Sequence, residues 1–144
     1  VNTKQVIVLR KDLNMRKGKM VAQGAHASMK AILDLGRVVN RYTFDGERAE
    51  TDYVVPLFRR ELEFDYAEVL DWLEGLFTKI CVGVNGETEL LNIYEHAKEK
   101  NLVCSLIQDA GLTEFDGVPT YTAVAVGPGR AEDVDEITGH LKLL

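Results

Sequence analysis

Short apolar runs alternate along the chain with longer stretches in which apolar residues recur every three or four positions. Gln5 to Leu9 (QVIVL), Thr78 to Val84 (TKICVGV), Leu102 to Ile107 (LVCSLI) and Tyr121 to Val126 (YTAVAV) are rich in β-branched residues and read as four buried strands. Between them, Lys19 to Leu35, Asp65 to Phe77, Thr88 to Lys100 and Ala131 to Thr138 read as helices. Gly36 and Gly139 stand where C-terminal caps are expected, and Asp65 with Glu68 has capping-box spacing. Gly127-Pro128-Gly129 reads as the break that ends the fourth strand, and the five last residues as a tail. Strands alternating with helices imply an α/β fold. The expected form is a three-layer α/β/α sandwich on a mixed, mostly parallel sheet of about four strands. The third and fourth strands have no helix between them, which is where an antiparallel pair is expected.

The first helix carries two stripes. Ala22, Ala25, Met29 and Ile32 give an apolar stripe suited to lying on a sheet, and Lys19, Gln23, His26 and Lys30 give a separate polar one. Residues 37–64 are the least regular part. Tyr42-Thr43-Phe44 leads into Asp45-Gly46, a hairpin turn, with Tyr53-Val54-Val55 pairing back and Pro56 confining that strand to an edge.

The chain has 144 residues and an ordinary apolar fraction of 46%, which points to a single domain with its own core. No apolar run is long enough for a membrane span, and no secretory signal is visible, so the cytoplasm is the expected compartment. Cys81 and Cys104 lie inside apolar runs and are expected to be buried small hydrophobes. The net charge of −6 is unevenly spread: residues 1–30 carry +6 and the rest −12. A basic front on an acidic body is compatible with a polyanionic ligand.

Candidate chemistry gathers where strands end. In an open α/β sheet, ligands bind beyond the carboxyl ends of the strands. Here those ends are Arg10-Lys11-Asp12, Gln108-Asp109-Ala110-Gly111 and Gly127-Pro128-Gly129. Lys17-Gly18-Lys19, at the entry to the first helix, combines free N–H groups with two cations and suits an anion. His26 shares a stripe with Lys19 and Gln23. A carboxylate at Asp109 is placed to orient a water or a ribose hydroxyl, or only to turn its loop. No Gly-x-Ser-x-Gly elbow, Walker A loop, Rossmann glycine fingerprint or histidine ligand spacing is present.

As a set, these segments resemble the type 2 peptidyl-tRNA hydrolase family. VIVLRKDLNMRKGKMVAQGAHA is similar to the family's opening, LIQDAGLTEF to its Asp-Ala-Gly-x-Thr loop, TAVAVGPG to its last core strand and Gly-Pro turn, and ITGHLKLL to its ending. Residues 4–33 and 79–144 carry the likeness, and 37–64 look like an insertion. The resemblance implies cleavage of the ester between a peptide and the 3′ ribose of tRNA, without metal or organic cofactor. It places Lys19, Gln23, His26, Asp109 and Thr113 in the catalytic site. Arg10, Lys17, Thr122, Gly127 and Pro128 then contact the acceptor end of peptidyl-tRNA. A homodimer is a possible assembly, and a non-catalytic tRNA- or protein-binding member of the same fold is the alternative. Two positions depart from the family pattern: Arg16, where Gly is usual, and Glu114, where Gln is expected.

Overall fold

The computed structural model describes residues 2–55 and 66–144. In chain order its elements are β1 (Thr3–Arg10), α1 (Lys17–Leu33), β2 (Arg37–Tyr42), β3 (Arg48–Val54), α2 (Ala67–Glu74), β4 (Lys79–Val84), α3 (Glu87–Glu99), β5 (Cys104–Asp109), a 3₁₀ turn (Phe115–Gly117), β6 (Thr120–Arg130), α4 (Ala131–Thr138) and β7 (Lys142–Leu143). Five strands form the central sheet in the order β5-β6-β1-β4-β7, and β2 with β3 forms a separate hairpin. The α/β sandwich holds, but the sheet is less parallel than expected. Only β1 and β4, joined by a helical crossover, run parallel; the β5–β6, β6–β1 and β4–β7 pairings are antiparallel. A parallel pair needs a long crossover, whereas β5 and β6 are joined by a loop with one 3₁₀ turn.

Alternation along β1 divides the interior in two. Val6 and Val8 point into a cluster with Val82, Val84, Leu90, Ile93, Val124, Val134 and Ile137, so α3 and α4 cover that face. Ile7 and Leu9 point the other way, into a cluster with Met15, Ala27, Ala31, Ile107, Ala123 and Ala125 beneath α1. Each fully buried Val or Leu of this kind is worth roughly 1.5–3 kcal/mol relative to an exposed one.

The buried stripe of α1 is Gln23, Gly24, Ala27 and Ala31. Ala22, Ala25 and Met29, expected to face the sheet, are exposed. The reason is tertiary: small residues allow close approach, and the amide of Gln23 finds polar partners inside. In α3 the buried residues are Leu90, Ile93 and Ala97, and Leu91 and Tyr94 flank that face.

Other boundaries also shift. Helix α2 ends at Glu74, because Gly75 takes ψ −136° and leaves the helical path; Phe77, at φ 57°, lies beyond it. Strand β6 does not break at Gly127-Pro128-Gly129; it runs on to Arg130, with Gly129 opposite Lys4. The tail adds β7 to the sheet edge beside β4. The hairpin forms around the Asp45-Gly46 turn, with Gly46 at φ 83°, and its first strand reaches back to Arg37. Asp65 and Pro56 lie outside the described residues. Cys81 is exposed, since α1 leaves that stretch of β4 uncovered; Cys104 is half-buried, and burial pushes its thiol up to about 11.

The closeness of α1 to the sheet is testable. Ala27 is fully buried, and its carbonyl accepts a hydrogen bond from Ser105 Oγ at 2.7 Å. Ala27→Leu should destabilise by about 1–3 kcal/mol through overpacking. Gly24→Ala, whose new Cβ would meet Ile7 at an ordinary 3.6 Å, should be neutral or stabilising. Urea unfolding of the two variants checks both.

Candidate active site

Strand directions decide what can meet. β1, β4 and β5 end at the same edge of the sheet, and β6, running opposite to β1, begins there. The first turn of α1 arrives at this edge with no side-chain cap and no acidic residue, and nothing lies within 4 Å of the position a Cβ would take at Gly18. Its N–H groups are therefore free to meet an anion.

Lys19 and Asp109 form the centre. Lys19 Nζ donates to Asp109 Oδ1 at 2.7 Å and to Thr113 Oγ1 at 3.1 Å. The two charged side chains are only 13% and 14% exposed. Gln23, buried beneath them, donates from Nε2 to the same carboxylate oxygen at 3.2 Å, and its Oε1 accepts the hydroxyl of Thr122. The other carboxylate oxygen, Oδ2, accepts the N–H of Gly111 at 2.9 Å. The Lys19 ammonium beside Asp109, helped by the Gly111 N–H, holds the carboxyl below its ordinary value of 3.8 against the opposing effect of burial.

An ammonium has three donors, and two are committed. The third is available to an incoming oxygen. The ring of Phe115 lies 5.7 Å from Nζ and adds a weak cation–π contact.

The loop that brings Thr113 over has an unusual backbone. Phe115 and Asp116 both take positive φ, 68° and 52°. Gly111, at φ 81°, has the backbone of Val118 against it, so an added Cβ would fall 2.5 Å from Val118 O. Arg16 and Glu114, the two departures from the family pattern, face each other across the rim at 3.8 Å. The added cation and the added anion thus partly cancel.

Of the residues singled out in the sequence, the structure gathers Lys19, Gln23, Asp109, Thr113 and Thr122. His26 is exposed one turn beyond Gln23, in a groove between α1 and β5. Lys17 lies on the opposite flank of α1, facing β4. Thr122 is wholly buried and touches Gln23 rather than solvent. Arg10 is engaged: it forms a two-point pair with Asp12 and donates to Tyr121 O at 3.1 Å. Gly127 and Pro128 are not brought to the site. β6 runs antiparallel to β1, so its carboxyl end lies at the far edge, where Gly127 O accepts from Gln5 at 3.2 Å. The rule of carboxyl ends misplaced them, because it was applied to all strands alike, whereas β6, expected to run against β5 and found to do so, carries its carboxyl end to the other edge. Gly111 N–H and Phe115 carried no signal in the sequence beyond the loop's glycine. Among the described residues, no group of three or more His, Cys, Asp or Glu is placed to hold a metal ion.

The sequence profile of the family described as "Peptidyl-tRNA hydrolase PTH2" matches residues 3–144. The chain belongs to the peptidyl-tRNA hydrolase PTH2 family. Named peptidyl-tRNA hydrolases similar to this PTH2-family chain include one from Methanocaldococcus jannaschii, 43% identical, covering 98% of this chain and 99% of its own length. Others come from Sulfurisphaera tokodaii, at 40% with 99% and 98% covered, and Staphylothermus marinus, at 37% with 98% and 94% covered. A solved structure of a protein of unknown function from Agrobacterium shares the fold. Its TM-score is 0.53 at 13% identity, over 100% of this chain and 98% of that one. Family membership supports hydrolysis of peptidyl-tRNA over the non-catalytic alternative.

Two outcomes follow from the site's geometry. Gln23→Leu strands the hydroxyl of Thr122 without a partner and should destabilise by about 1–3 kcal/mol, read by denaturant unfolding. Asp109 has a lower pKa folded than unfolded, so its ionised form stabilises the fold above the ordinary carboxylate value. That contribution disappears as pH falls through the folded value. The stability gap between wild type and Asp109→Asn should be full at neutral pH and shrink below about pH 4. A gap independent of pH between 2 and 7 would contradict the assignment.

Proposed function

We propose that Lys19 and Asp109 cleave the ester between a peptide and the 3′ ribose of tRNA by direct attack of water. The observation that carries this reading is a shielded ammonium–carboxylate pair with one ammonium donor left over, set beside the uncapped start of a helix. An ester carbonyl becomes an oxyanion as water adds. The free donor of Lys19 stabilises that charge, and removing one such donor typically lowers kcat by about 10²–10³. The depressed pKa of Asp109 makes it a weak base at neutral pH, so it orients and polarises the water. The proton the water sheds on bonding to the carbonyl passes to the ribose 3′ oxygen as the acyl C–O bond breaks, leaving the peptide carboxylate and free tRNA. Thr113 steadies the ammonium. Gln23 and Thr122, both buried, are positioning residues that aim the carboxylate.

Arg16 and Lys17 at the helix start, with Lys11 at the end of β1, meet the phosphates of the acceptor end, and Arg10 braces that strand end from within. Binding that rests on these cations weakens with salt. No helix among the described residues is long and apolar enough to cross a membrane. A substrate made during translation places the reaction in the cytoplasm. A homodimer would cover the apolar strip of Ile7, Met20, Val21 and Leu144 beside the uncovered part of β4.

Purified protein incubated with N-acetyl-aminoacyl-tRNA in EDTA should release free tRNA. Lys19→Ala and Asp109→Ala should each lower kcat by about 10²-fold or more with tRNA binding retained. Wild-type kcat in both variants, or tRNA binding with no release by the wild type, overturns the reading. For assembly, sedimentation at micromolar concentration should give a dimer that Val21→Glu converts to monomer.

A further inference from the structure

We infer that the groove between α1 and β5 receives the peptide of the substrate as an extended strand added to the free edge of β5. This inference rests on the proposed reading of Lys19 and Asp109, because it takes the scissile ester to lie there. The groove is continuous with that site: Gln108, on its floor, precedes Asp109, and His26, on its wall, lies one turn beyond Gln23. Its other walls are Ala25, Met29, Leu33 and Ile107. Met29 is 64% exposed and Leu33 38%, so apolar surface lies open to solvent along the helix.

The occupant follows from chemistry. A nucleotide end would call for aromatic rings to stack on and cations for its phosphates. The groove's one aromatic ring is the His26 imidazole, at the end beside the site, with none along Met29 and Leu33; its one ammonium, Lys30, is paired with Asp34 at 3.0 Å. Lys17, the one cation of α1 without an ion-pair partner among the described residues, stands at the opposite, N-terminal end. RNA and peptide therefore leave the scissile bond in opposite directions, the peptide running toward the C-terminus of α1.

The backbone of β5 supplies the recognition. β5 is the last strand of the sheet and pairs, among the described residues, only with β6. Every second residue of an edge strand turns its N–H and C=O away from its neighbour. A peptide with its ester carbonyl at Asp109 and its N-terminus toward Leu33 runs parallel to β5. Main-chain pairing of this kind is indifferent to side chains, which suits an enzyme whose substrates carry varied peptides. His26 to Leu33 spans seven residues of helix, about 10 Å, or about three residues of extended peptide.

The test is a series of acetylated tRNA esters with one to four residues of peptide on the same C-terminal leucine. kcat/KM should rise about tenfold from one residue to three and then level. Scanning N-methylation along the tripeptide should remove the gain at alternate amides. Met29→Glu and Leu33→Glu should erase it. Equal kcat/KM along the series, with hydrolysis intact, overturns this inference alone. Groove variants that depress the one-residue substrate as much as the tripeptide, and weaken inhibition by free tRNA, overturn it in favour of RNA. Absence of hydrolysis throughout overturns both this inference and the reading beneath it.

Discussion

An ammonium and a carboxylate shielded from water are expensive to keep together unless their remaining valences are met, and the arrangement around Lys19 and Asp109 is organised to meet them. The carboxylate accepts from Lys19, Gln23 and Gly111, and the ammonium is shared with Thr113. A pair like this is weak evidence of stability in itself, because desolvation offsets most of the attraction. Its value is positional. α1 must lie close enough to the sheet for a lysine in its first turn to reach the end of β5, and that closeness requires residues no larger than alanine, such as Ala27 and Ala31, on its inner face. Small residues in the middle of a helix thus set the distance between charges at its start.

Gln23 joins the packing to the chemistry. Its amide is buried between the hydroxyl of Thr122 on β6 and the carboxylate of Asp109 on β5. With Thr122 donating to the oxygen, the nitrogen must point at Asp109, so a hydroxyl in the core sets the orientation of a group at the site. The loop after β5 completes the enclosure. The positive φ values of its non-glycine residues Phe115 and Asp116 are the kind of local strain that the surrounding structure must hold in place.

α1 also separates the two halves of the proposed substrate. Cations and free N–H groups crowd its N-terminal turn, and apolar side chains open along its C-terminal half beside the edge of β5. A polyanion and an extended peptide joined by one ester match these two environments. The bond between them would fall where the environments meet, next to Lys19 and Asp109.

Much of this was determined locally. The strand cores, the four helices and the Asp45-Gly46 hairpin follow from short β-branched runs, three-and-four spacing and turn chemistry. The polar stripe of Lys19, Gln23 and His26 follows from the helical repeat. Asp109 and Thr113 were legible as a loop after a strand and through family resemblance. What the tertiary structure alone decided was strand order and depth. β6 lies beside β1 and antiparallel to it, which sends Gly127 and Pro128 to the far edge; the short β5–β6 connection signals the reversal, but periodicity is blind to which strands become neighbours. Depth turned Gln23 inward and left Ala22, Ala25 and Met29 in solvent: a buried amide is stable only where partners distant in sequence satisfy it, and those partners, Thr122 and Asp109, are brought together by the fold.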